Sequence, residues 1–108
     1  TMDRVKALRN FIAAKPDDPF PRYGLAMELK KGGQDAEACE AFAELVERFP
    51  DYVATYLMYG TTLASMGKAA EAREILARGI EVAGTAGDAH AKSELAAALS
   101  ALESGAQG

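Results

Sequence analysis

LAMELKKGGQDAEACEAFAELVERFPD at residues 25–51 decides the reading of this chain, because its skeleton returns as YGTTLASMGKAAEAREILARGIEVAGT at residues 59–85. The offset is 34 residues. It pairs Ala26 with Gly60, Leu29 with Leu63, Gly33 with Gly67, Glu37 with Glu71, Ala38 with Ala72, Phe42 with Leu76 and Val46 with Ile80. Upstream, Leu8, Phe11, Ile12, Pro16 and Asp17 pair with Phe42, Leu45, Val46, Pro50 and Asp51, so a half-repeat precedes the first full one. Pro16, Pro50 and Gly84 stand at the same interval. A period of this length belongs to helix-turn-helix repeats that stack one unit on the next.

Each recurring residue type has a mechanical role. Small residues at Ala26, Gly60, Ala38 and Ala72 let two antiparallel helices approach closely, while Leu, Phe and Ile at helical spacing fill the space around them. Gly33 and Gly67 suit the left-handed backbone that ends a first helix. Pro16 and Pro50 terminate the second helix, Asp18 and Asp51 can cap the next one, and Pro19 suits a first turn. The spacing predicts helices over about 2–14, 19–31, 35–48, 52–66, 69–83 and 86–103. For the last of these the register slips: Leu95, Ala96 and Leu99 repeat Leu25, Ala26 and Leu29, yet Leu95 lies 36 residues beyond Tyr59. The two extra residues are placed in the connection 84–87, Thr85 with Asp88 resembles a capping box, and Leu95, Leu99 and Leu102 form a buried stripe. Residues 104–108 read as a disordered tail.

Together these positions resemble the tetratricopeptide repeat family, whose pattern W-x2-L-G-x2-Y is followed by Ala, Phe and Pro. Residues 19–52 supply Leu25, Ala26, Leu29, Ala38, Phe42 and Pro50; residues 53–86 supply Tyr56, Tyr59, Gly60, Leu63, Ala72 and Leu76. Arg22 replaces the bulky aromatic of the first repeat, Gly84 the terminal proline of the second, and Gly79 a usual alanine. That glycine costs about 1 kcal/mol in a helix interior unless close packing needs it. Arg4 occupies the small-residue position of the half-repeat, where no close approach is required. The resemblance implies an all-α fold, an α-α superhelix (a right-handed solenoid) of about six antiparallel helices in one domain over 1–108. Its parts are a leading helix at 2–14, repeats at 19–52 and 53–86, and a terminal helix at 87–103.

Composition narrows the functional classes. At 108 residues, 49% apolar and 26% charged, the chain suits a single folded domain. No apolar run reaches the length of a membrane span and no basic segment leads into one, so no membrane partner is expected and the cytoplasm is the default location. The lone Cys39 cannot form an internal disulfide, which agrees with a reducing compartment. Thr1 ahead of Met2 reads as a residue left over before the start and is set aside. A net charge of -4 argues against nucleic acid as a partner. That total hides an asymmetry: residues 1–31 hold seven Lys/Arg against four Asp/Glu, and residues 32–108 five against twelve. Catalysis has no support, since His90 and Cys39 fall on non-adjacent helices and no phosphate loop or G-x-S-x-G motif is present. No cofactor or metal is expected. The glutamates of the second helices have no EF-hand loop to gather them and form a solubilising face.

In tetratricopeptide repeats the first helix of each pair lines a concave groove. The resemblance therefore assigns a peptide-binding groove to Phe20, Tyr23, Met27, Lys30 and Lys31, then Leu57, Met58, Thr61, Ala64 and Ser65, with His90, Ser93 and Ala97 from the terminal helix. A related subclass grips C-terminal carboxylates with Lys, Asn and Arg; the corresponding positions here are Tyr23, Met27, Met58, His90 and Glu94, and none matches. The expected function is a non-catalytic protein-interaction module that takes a peptide or helix of another protein in a mostly apolar groove. The alternative is a homo-oligomeric structural or assembly protein, a homodimer for instance, using the same surface or an end helix. Met27 and Leu57 can equally be core residues, and Lys30 with Lys31 can simply be a solvated helix end suited to the macrodipole.

Overall fold

A computed structural model of the chain describes residues 2–107, with side chains through residue 105. Six helices follow one another: α1 (Met2–Ala14), α2 (Pro19–Lys31), α3 (Asp35–Arg48), α4 (Ala54–Ser65), α5 (Ala69–Ala86) and α6 (Ala89–Gln107). There is no strand among the described residues. The helices fall into two compact units, α1–α3 up to Tyr52 and α4–α6 from Val53. The division lies where the 34-residue register passes from one repeat to the next.

In the first unit α2 packs against both α1 and α3. Asp18 starts α2 by accepting the Phe20 N–H on its carboxylate at 3.0 Å, with Pro19 in the first turn. The helix ends at Gly33, whose φ of 80° only glycine adopts without strain; the Gly33 N–H reaches the Lys30 carbonyl and the Gln34 N–H that of Leu29. Between these ends α2 turns Leu25, Ala26 and Leu29 inward, and α3 buries Ala38, Phe42, Leu45 and Val46. On the other flank the Leu8 side chain of α1 lies 3.2 Å from where a Cβ on Gly24 would stand. Arg4, 69% exposed, reaches Glu28 of α2 at 3.7 Å.

The second unit repeats the plan. Gly67, also at φ 80°, ends α4 through the same pair of bonds, Gly67 N–H to Ala64 and Lys68 N–H to Leu63. Tyr56, Leu63, Ala72, Leu76, Ala83 and Leu95 form its core. The helices are pressed together at two glycines. A Cβ on Gly60 would stand 2.5 Å from Leu76 Cδ2, and one on Gly79 would stand 2.5 Å from Tyr56 Cβ and 3.0 Å from Leu95 Cδ2.

Several expected boundaries move. The glycine that reaches the left-handed region is Gly87 (φ 74°), so α5 continues through Gly84 to Ala86 and the two extra residues lengthen the helix rather than a loop. The cap of α6 is Asp88, whose carboxylate accepts the Ala91 N–H at 3.0 Å, in place of Thr85. α4 starts at Ala54, after Val53 and without a side-chain cap, so Asp51 does not cap it. Residues 104–107, expected as tail, continue α6, because nothing in Ser104–Gln107 interrupts it as proline would; residue 108 lies outside the described residues.

Close packing at Gly79 has a measurable consequence. Alanine is the better helix former by about 1 kcal/mol, yet Gly79→Ala is expected to destabilise by about 1–3 kcal/mol, because its methyl must displace Tyr56. At Gly84 only the flexible Lys92 side chain comes near, at 3.8 Å, so Gly84→Ala is expected to be neutral or stabilising by up to about 1 kcal/mol. Denaturation midpoints of the two variants decide the matter; a higher midpoint for Gly79→Ala overturns it.

Candidate interaction surfaces

Three- and four-residue spacings place Phe20, Tyr23, Met27, Lys30 and Lys31 on the face of α2 opposite Leu25 and Leu29. Phe20 is 67% exposed, Lys31 is exposed, and Tyr23, Met27 and Lys30 are half-buried. Tyr23 is anchored as well as displayed. Its ring meets that of Tyr52 edge-on with centroids 5.8 Å apart and lies 6.4 Å from Phe42 of α3. Burial pushes the Tyr23 phenol above its ordinary pKa and neighbouring Tyr52 adds to the rise; burial, then the Asp18 carboxylate, raises Tyr52.

The opposite side of α2 holds Arg22 at the position expected to be aromatic. Its side chain is only 12% exposed. Nη1 donates to Glu44 Oε1 of α3 at 2.9 Å, Nη2 reaches the Pro16 carbonyl at 3.4 Å, and the guanidinium lies 6.0 Å from the Phe49 ring centroid. Among the described residues Nε is buried without a hydrogen-bond partner. Glu44 is also held by Arg48 at 3.2 Å.

In the second unit α4 carries Leu57, Met58, Thr61 and Ala64, all half-buried. Three hydroxyls of this helix turn back on it: Thr61 donates to the Leu57 carbonyl at 2.8 Å, Thr62 to Met58 at 2.6 Å and Ser65 to Thr62 at 2.7 Å. The Thr61 hydroxyl hydrogen is thereby committed to its own helix. His90 stands in solvent on α6, 85% exposed, with Nε2 3.3 Å from Glu94 one turn on. Among the described residues, no three His, Cys, Asp or Glu side chains gather closely enough to hold a metal, and no helix is long and apolar enough to cross a membrane.

Two features escaped the sequence reading. Tyr52, in the connection after α3, completes the aromatic cluster around Tyr23, and no periodic signal marks it. The Arg22–Glu44 pair was signalled, since a charged residue at an inward aromatic position requires an opposite charge on the facing helix.

Residues 29–102 match the tetratricopeptide repeat family. The chain belongs to that family. A tetratricopeptide repeat domain protein of Salinibacter ruber, known from a crystal structure, is 40% identical and superposes with a TM-score of 0.77 over 81% of this chain and 97% of its own. The type III secretion translocator chaperone SycD of Yersinia enterocolitica superposes with a TM-score of 0.87 over 99% of this chain and 74% of its own, at 16% identity, which bears on the fold alone. The cytochrome c-type biogenesis protein CycH of Rhizobium meliloti is 42% identical over 50 residues, or 46% of this chain; the matched stretch spans 13% of that protein's length. Tetratricopeptide repeat proteins bind other proteins, and their domains are generally non-catalytic.

Two outcomes are expected from the side chains of this repeat. Glu44→Ala strands a nearly buried guanidinium and is expected to cost about 1–2 kcal/mol in urea denaturation. Arg22→Met combined with Glu44→Ala should recover most of that loss; a double variant no better than the single one refutes the pairing. For Tyr23 and Tyr52 the folded-state pKa is raised, so the protein holds these protons more tightly when folded than when unfolded. Their stabilisation is therefore complete below about pH 10 and fades as the pH climbs through the folded values. Ultraviolet titration should show later phenolate ionisation in the native protein than in the urea-unfolded chain, with a smaller late amplitude in Tyr52→Phe. Simultaneous early ionisation of all four tyrosines would contradict it.

Proposed function

We propose that this tetratricopeptide repeat protein is a non-catalytic interaction module that binds a peptide or helix of another protein through the mostly apolar faces of its first helices, α2 and α4. The observation that carries the reading is Phe20, 67% exposed beside Tyr23 and Met27 on a helix whose other side is fixed in the core. Single exposed apolar residues are ordinary on any protein; an aromatic, a second aromatic and a methionine on one rigid face form the kind of patch that partners cover. Lys30 and Lys31 edge that patch. Exposed charges of this kind contribute only about 0–1 kcal/mol each, so they orient a ligand more than they hold it. α4 offers Leu57, Met58, Thr61 and Ala64 as a second apolar face, and His90 is the polar contribution of α6.

The ligand is not a chaperone tail gripped by its terminal carboxylates. Such a clamp needs Lys, Asn and Arg where this chain has Tyr23, Met27, Met58, His90 and Glu94, and Glu94 carries the wrong sign. The test selects peptides from a displayed library on the native protein and titrates them against Phe20→Ala and Leu57→Ala. Phe20 is exposed, so its removal should leave the thermal midpoint unchanged while weakening the selected peptides roughly 30-fold, as loss of an interface anchor does. Peptides that bind both variants as tightly as the native protein overturn the proposal.

A further inference from the structure

The other side of α2 carries a separate feature. α1, α2 and α3 frame a pocket of about 270 Å³, open to solvent, with Ile12 and Ala13 of α1, Leu25 of α2 and Ala41 of α3 as its apolar walls. Its origin lies in two substitutions between the repeats. The positions of Arg22 and Ala41 are occupied in the second repeat by Tyr56, wholly buried, and Ile75. Where the second repeat has a ring and a branched aliphatic chain, the first has a guanidinium paired with Glu44, both of them at the pocket wall, and a methyl group.

Size and charge define the guest. The pocket falls below the roughly 300–1,000 Å³ of small-molecule sites but exceeds the roughly 150 Å³ that suffices for a benzene ring, so it fits one aromatic side chain. The charge around it is unbalanced. Glu44 is shared by Arg22 and Arg48, and Arg9 stands exposed at the rim with no ion-pair partner among the described residues.

We propose that this pocket is a second docking site, which takes an aromatic side chain of a partner protein flanked by acidic residues: the ring sits on Ile12, Leu25 and Ala41, and a carboxylate pairs with Arg9. The site is independent of the Phe20 face, because Arg22 and Leu25 point away from Phe20, Tyr23 and Met27 around the helix.

The probe is the synthetic peptide acetyl-Asp-Trp-Glu-amide, titrated into the isotope-labelled full chain and followed by amide chemical shifts. Shifts are expected at Ile12, Ala13 and Ala41, saturating at millimolar peptide. Ala41→Ile, which installs the residue of the second repeat, should weaken binding at least about tenfold while preserving or raising the thermal midpoint. Arg9→Gln, at an exposed site that folding does not depend on, should weaken it about two- to fivefold and remove its salt dependence. Phe20→Ala should leave it unchanged, which separates this site from the α2 face. Equal binding of the peptide with alanine for tryptophan, indifference to both Ala41→Ile and Arg9→Gln, or shifts confined to the Phe20 face would each overturn the proposal.

Discussion

The distance between the two helices of a pair is the constraint on which this structure rests. In the second unit it is set where Gly60 faces Leu76 and Gly79 faces Tyr56, with room at neither place for a methyl group. In the first unit Ala26, the counterpart of Gly60, is wholly buried at the same point, and Ala38 is wholly buried as its counterpart Ala72 is in the second. The missing side chains make room for bulk from the facing helix: Leu76 fills the space beside Gly60, and Tyr56 that beside Gly79. The glycine turns at Gly33 and Gly67 serve the same end. Each reverses the chain within a few residues and satisfies the last carbonyls of the first helix, so the second helix starts in register with it.

A frame that rigid isolates the consequences of a single departure. Arg22 occupies an inward position, and its guanidinium requires charge and carbonyl partners that an aromatic ring would not. Glu44 and the Pro16 carbonyl supply them, tying α2 to α3 and to the turn before α2. The side chain is thereby held against its partners at the wall of the pocket. Arg22 thus exchanges apolar packing for a polar tie, and with Ala41 in place of a larger aliphatic chain it lines an open pocket.

How much of this was legible depends on the range over which sequence spacing acts. The bounds of α1, α2 and α3 were readable because Asp18, Pro19, Gly33 and Pro16 each act within a turn of the residue that ends or starts a helix. The end of α5 was not. Gly84 and Gly87 can both take the left-handed turn, and it is Gly87 that does so. The start of α4 was misplaced for a related reason, since Asp51 is one possible cap and the chain begins the helix without using it. For the candidate surfaces, residue positions on each helical face were legible and exposure was not. Tyr23 is held by Tyr52, whose proximity depends on the path of the connection after α3, and Thr61 has its hydroxyl returned to its own helix.

The two faces offered by α2 and α4 occupy the same repeat positions with different chemistry. Tyr23, Met27 and Lys30 correspond to Leu57, Thr61 and Ala64. On α2 the cations Lys30 and Lys31 stand at the helix C-terminus, where the backbone carbonyls favour them, so positive charge is gathered at one end of an apolar stripe. On α4 the last turn has no cation, and the Thr61 and Ser65 hydroxyls are bonded to the backbone. The repeat period therefore fixes where a surface residue points and leaves its chemistry free. Under the proposed function, a partner on α2 would meet charge and aromatic rings, and one on α4 chiefly apolar area.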